Sequence, residues 1–278
     1  MGREVFEFPR LGGAARRMHE RLLPGIEEEF PWDSLEPSPY PDALLERARI
    51  GWTENAFNEY CTAAALCQML HAVMQARAPL ELWTIASPFP QQEILHVELC
   101  LRIADRLGGA APLKFNPRAL DAPFEPTLSP FQRANDLVVR CCCVGEAFSM
   151  PMLRGCMDAA SNPLTRAVLT RIVRDEVAHG RFGWLYLDWA APRMDAAERD
   201  RLARIAARAI DSYRPIWENL HSEVRDGVTS EGFRIEHVHD MGWMALRDYQ
   251  RTARRTLREE VIAPLKERGI DVRPHTNA

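Results

Sequence analysis

Residues 162–190 read NPLTRAVLTRIVRDEVAHGRFGWLYLDWA, and this stretch decides the fold. Asn162 is a capping residue and Pro163 suits the first helical position, where its missing N–H is no loss. From there Leu169, Ile172, Glu176, His179, Gly183 and Tyr186 step by three and four residues, the period of a single helical face. That face is largely apolar, yet it carries a glutamate and a histidine one turn apart. A carboxylate buried alone is expensive, so the question becomes what the other segments bring to meet it.

Three more segments have the same character. Over residues 42–78 the face is Trp52, Ala56, Glu59, Ala63, Leu66 and Leu70. Glu54 is the other acidic candidate there, but its row of Asn58, Cys61, Ala65 and Gln68 is the more polar one. A helix over 90–107, closed by Gly108 and Gly109, turns Glu93, His96, Cys100, Ile103 and Leu107 inward. Ser129 and Pro130 open a third whose face is Val139, Cys142, Glu146, Ser149 and Leu153, with a kink expected at Pro151. Residues 108–130 hold five prolines and little helical pattern, which suits an extended crossover between the second and third helices rather than a hairpin.

The flanks are less regular. Residues 1–41 are proline-rich and read as an irregular N-terminal arm with a short helix near 14–23. Two C-terminal helices are expected, over 195–226 (capped by Asp195 with Glu198, bent at Pro215) and over 238–266, ending at Gly269. No run alternates like a strand. The expectation is an all-α chain: arm 1–41, four-helix bundle 42–190, and C-terminal helices 191–278 packed on the same domain.

Each of the four central helices therefore places one glutamate, Glu59, Glu93, Glu146 or Glu176, on a face that should be dry, and two add a histidine three residues on, His96 and His179. Four carboxylates in one core repel one another unless cations neutralise them, and two divalent metals balance their four charges. Placed at random, 24 Glu and 8 His in 278 residues would give fewer than one Glu-x-x-His pair; four occur. Glu218/His221 lies on a charged row with Asp211, Arg214 and Arg225, and reads as surface. Glu236/His239 has no partner pair at bundle spacing and is the main competitor.

The pattern Glu, Glu-x-x-His, Glu, Glu-x-x-His over residues 42–190 resembles the ferritin-like di-iron carboxylate superfamily. The resemblance implies a ferritin-like four-helix bundle holding two iron ions, or manganese and iron, bridged by either Glu93 with Glu176 or Glu59 with Glu146, and O2 chemistry with an external electron donor. Residues 175–179, Asp-Glu-Val-Ala-His, look like the Asp-Glu-x-x-His of ribonucleotide reductase small subunits and fatty acyl desaturases. The resemblance makes Asp175 the partner of a ligand histidine across the bundle, His96; the plain alternative is a solvent-facing charge. Departures bear on the individual families: Cys100 stands where the reductases carry their radical tyrosine, and Ile172 where arylamine N-oxygenases carry an extra histidine. Ferritins are shorter than this chain. An O2-dependent oxygenase or oxidase acting on a small organic substrate is the expectation, and a metal- or peroxide-handling protein without substrate turnover is the alternative.

Charge and composition narrow the partners. Thirty-five basic against 39 acidic residues give a net charge of −4, which does not favour nucleic acid. No apolar run approaches a membrane span and residues 1–10 do not form a leader, so a cytoplasmic protein is expected. Seven cysteines, three of them consecutive (Cys141, Cys142, Cys143), argue for reduced thiols. Nothing resembles a nucleotide or flavin motif, so electrons would come from a separate reductase; a homodimer is compatible with the sequence. Ala63, Ala64, Cys142, Cys143, Gly145, Gly180 and Gly183 could leave room for a substrate or simply let helices approach. Trp184 and Tyr186 could line a pocket, relay an electron or pack the core.

Overall fold

Prolines and short polar side chains set the helix starts. The structure is a computed structural model that describes residues 4–8, 10–23, 26, 29–121, 125–218 and 223–273. After the arm's helix α1 (Gly13–Leu22) come α2 (Asp42–Gln75), α3 (Leu80–Ala86) and α4 (Phe89–Arg106). The short α3 falls in a stretch where the sequence pattern marks no helix. Residues 108–121 run extended apart from a turn of 3-10 helix at Pro117–Leu120. Lys114–Phe115 pairs antiparallel with Glu4–Val5 of the arm, and Phe6 joins Phe57, Tyr60 and Phe115 in an aromatic cluster that pins the arm to α2.

Helix α5 (Pro130–Val138) begins with a full capping box, Ser129 with Gln132, and runs into a π-helical segment, Val139–Glu146, before α6 (Ala147–Ala159). The π segment alters the expected face. Wide turns take more residues than α turns, so the phase that fits Val139, Cys142 and Glu146 no longer holds beyond them. Phe148, Met152 and Cys156 are buried in α6, while Ser149 and Leu153 are only half-buried. Pro151 lies inside α6, which continues through it.

Helix α7 (Pro163–Ala190) matches its expected span, with the Asn162 side chain accepting from the Leu164 N–H. All six residues of its expected face are buried. Helix α2 packs on α4 and α5, and α7 on α4, α6 and the π segment. The chain is mostly helical, and one apolar core runs from Phe6 to Val272.

The C-terminal part departs most from expectation. Asp195 caps α8 (Ala196–Tyr213) as anticipated, but the helix ends at Tyr213 instead of reaching residue 226. Pro215 has no N–H to continue the ladder and starts a separate turn, α9 (Pro215–Glu218). Val224–Arg225 and Val228–Thr229 then form a hairpin around Asp226 and Gly227, both at positive φ, as an Asp-Gly two-residue turn requires. The expected helix over 238–266 starts earlier and is broken: α10 (Ile235–Asp240), α11 (Leu246–Thr256), a second π segment (Leu257–Ile262) and α12 (Ala263–Glu267). Gly269 at φ 76° follows it as expected. Trp52 of α2 donates its indole N–H to the Met241 carbonyl, and α11 packs on α6.

Small residues set the distance between α7 and the π segment. A Cβ on Gly183 would stand 2.7 Å from Cys143 Sγ and 3.0 Å from the Cys143 backbone nitrogen. Gly183→Ala should therefore force the two elements apart and cost about 1–3 kcal/mol in chemical denaturation. An unchanged unfolding midpoint would show that the contact can relax. Tyr186 is fully buried and donates to Asn135 Oδ1 at 3.0 Å, which is core packing with a satisfied hydroxyl. Trp184 is partly buried under Arg268.

Candidate metal centre

Six side chains converge at the middle of these helices. Glu59 comes from α2, Glu93 and His96 from α4, Glu146 from the last π residue, and Glu176 and His179 from α7. They form two groups whose donor atoms lie within 4.8 Å of one another: Glu59, Glu93, His96 and Glu176; and Glu93, Glu146, Glu176 and His179. Glu93 and Glu176 belong to both. Of the two pairs left open by the sequence, Glu93 with Glu176 is the one common to both groups. Glu54 is exposed and in neither group.

His96 Nδ1 lies 3.3 Å from both Glu93 and Glu176 and 3.7 Å from Glu59. His179 Nδ1 lies 2.9 Å from Glu93 and 3.1 Å from Glu176. These are close approaches in distance but not aligned hydrogen bonds: both oxygens of Glu93, Oε2 of Glu176, both ring nitrogens of His96 and Nδ1 of His179 are buried without a hydrogen-bond partner. Donor atoms gathered this closely without hydrogen-bonding one another are compatible with a ligand set, and buried groups left so are otherwise rare. A carboxylate-rich shell with one imidazole per position fits two divalent first-row metals such as iron or manganese.

Each outer nitrogen faces a polar side chain, and that of His179 is hydrogen-bonded. His96 Nε2 faces Asp175 at 3.5 Å, and Asp175 is buried, taking the Arg171 guanidinium at 2.8 Å. It is thus a buried anion beside His96 and not a solvent-facing charge. His179 Nε2 lies 2.9 Å from Gln92 Oε1. Gln92 escapes a search for acidic or histidine ligands, although its place directly before Glu93, matching that of Asp175 before Glu176, marks it in the sequence.

Burial and mutual repulsion decide the charges within the cluster. Burial, with the Glu93 charge added, pushes the Glu59 carboxyl up to about 8. Burial next to Glu176 and Glu93 raises Glu146 well above the carboxylate range. Burial also works against ionised Glu93 and Glu176, but the facing histidines outweigh it and hold both below that range. Burial likewise disfavours the imidazoliums, yet Glu176 and Glu93 raise His179 to about 9, and Asp175 with the glutamates raises His96 well above the ordinary imidazole value. At neutral pH two carboxylates thus balance two imidazoliums, with two carboxyls neutral.

The other two Glu-x-x-His pairs join no such group among the described residues. Glu236 is exposed and pairs with Arg234, and Glu218 is exposed beside Arg214. His221 lies outside the described residues, as do Leu220 and the side chain of Trp217 from the same expected helix. All seven cysteines are free, as expected. No helix among the described residues is long and apolar enough to cross a membrane. No family model matches the chain, and neither a curated protein nor a solved structure matches it.

Proposed function

We propose that α2, α4, α5 with α6, and α7 form a ferritin-like four-helix bundle around a dinuclear centre of two iron ions, or manganese and iron, and that the protein is an O2-dependent oxygenase or oxidase acting on a small organic substrate. One observation carries this reading: two ligand groups, each with its own glutamate and histidine, share Glu93 and Glu176. Glu59 with His96 would hold one metal and Glu146 with His179 the other. When bound, such a pair supplies the redox chemistry needed to reduce O2. The chain's own contribution would be to turn the His179 Nδ1 inward through Gln92, to place the Asp175 charge behind His96, to cover His179 with the buried ring of Phe89 4.1 Å away, and to supply Glu93 and Glu176 to both positions. Electrons would come from a separate donor protein.

The second reading, metal or peroxide handling without substrate turnover, is favoured by Gly183 and Gly145, whose missing side chains are taken up by close contacts to Cys143 and Tyr213. The first test is elemental analysis of protein expressed with iron and manganese. Two equivalents of iron, or one of each, are expected per chain; a metal-free but folded protein overturns both readings. The second test mixes anaerobically reduced protein with O2 in the presence of small organic candidates. Oxidised product supports the oxygenase; O2 uptake that no candidate alters supports metal or peroxide handling.

A further inference from the structure

The two ligand groups are alike in their inner atoms and differ in what stands behind their histidines. Gln92 and Asp175 each immediately precede a shared glutamate, and each reaches the histidine of the opposite helix: Asp175 to His96 Nε2 at 3.5 Å, Gln92 to His179 Nε2 at 2.9 Å. The Gln92 contact is a hydrogen bond that orients its imidazole with Nδ1 toward the centre, whereas Asp175 stands behind His96 Nε2 as a nearby charge without an aligned hydrogen bond. Only one of them carries charge. Arg171 at 2.8 Å and the more exposed Arg174 at 3.5 Å keep Asp175 an anion.

An anionic acceptor behind a ligand histidine draws on its N–H and makes the opposite nitrogen a stronger donor to metal, whereas a neutral amide fixes the ring without that gain. The shorter Gln92 contact gives His179 the firmer orientation, but the charge lies on the His96 side. Resting on the dinuclear reading above, we propose that Gln92 makes the Glu146/His179 position the weaker of the two, so that the protein loads divalent metal stepwise, Glu59/His96 first. Gln92 is a positioning residue that acts on metal through His179.

The test is an anaerobic titration of metal-free full-length protein with Co(II), read by calorimetry and by the ligand-field absorption of the bound ion. Two binding steps separated by about tenfold or more are expected, the scale on which partners of ligand histidines act. Gln92→Glu keeps the shape and adds the missing charge; Gln92 is only half-buried, so the new carboxylate retains access to water. It should tighten the second step by about tenfold or more, leave the first unchanged and bring the two together, an increase that a merely structural role would not produce. Asp175→Asn should weaken the first step instead. Two equal steps in the unaltered protein, or a second step that Gln92→Glu does not move, overturn the proposal while leaving the dinuclear centre standing. Failure to bind Co(II) at all overturns both.

Discussion

Glu93→Ala or Glu176→Ala is expected to abolish binding at both metal positions at once, from two equivalents to none, whereas Glu59→Ala or Glu146→Ala should each cost a single equivalent. The difference follows from membership: Glu93 and Glu176 contribute to both ligand groups, Glu59 and Glu146 to one each. A metal that loses one of four protein donors from a closed shell binds far more weakly, and losing a shared donor does this twice. Folding must be followed in parallel by circular dichroism. Removing either shared carboxylate also removes the partner of buried imidazoliums at 2.9–3.3 Å, and a buried ion stripped of its partner costs about 3–5 kcal/mol unless it gives up its proton. His96 and His179 can do so, and the isosteric Glu176→Gln preserves the packing. If all four variants lost the same amount of metal, sharing would be refuted.

Metal binding at neutral pH should release about four protons per pair of ions, two from the imidazoliums of His96 and His179 and two from the carboxyls of Glu59 and Glu146. Calorimetry in buffers of different ionisation heat counts them directly. Apparent affinity should climb with pH, and its slope should lessen as pH passes about 8 and about 9, where Glu59 and His179 lose their protons. The metal-free protein should behave in the opposite sense. Both groups titrate higher in the folded chain than their ordinary values, so their contribution to stability is complete at low pH and is lost as pH rises through about 8 and about 9. The thermal midpoint without metal should therefore fall across that window, and the increment given by metal should grow. Metal uptake without proton release would mean that the carboxyls and imidazoles are not the ligands.

How far the sequence carried can be traced residue by residue. Periodicity put Glu176 and His179 on the buried face of α7, and the caps Asn162, Ser129 and Asp195 fixed three helix starts, because caps and faces are local properties. The same reasoning misjudged α6, where the π segment ending at Glu146 changes the phase, and residues 214–229, where Pro215 and the Asp226–Gly227 turn end the helical run. Both misses lie where the backbone leaves the α-helical period on which the reading depended.

The amino-acid order alone placed Glu93, His96, Glu146, Glu176 and His179 on faces withdrawn from water, since each depends only on the face of its own helix. It did not determine which of them meet. That Glu93 and Glu176 belong to both groups and that Asp175 and Gln92 cross to the opposite histidines were decided by packing. The reason is geometric: a helical period fixes direction around one axis, whereas a distance of 3 Å between side chains on different helices depends on how close those axes come, which here is set by contacts such as Gly183 against Cys143.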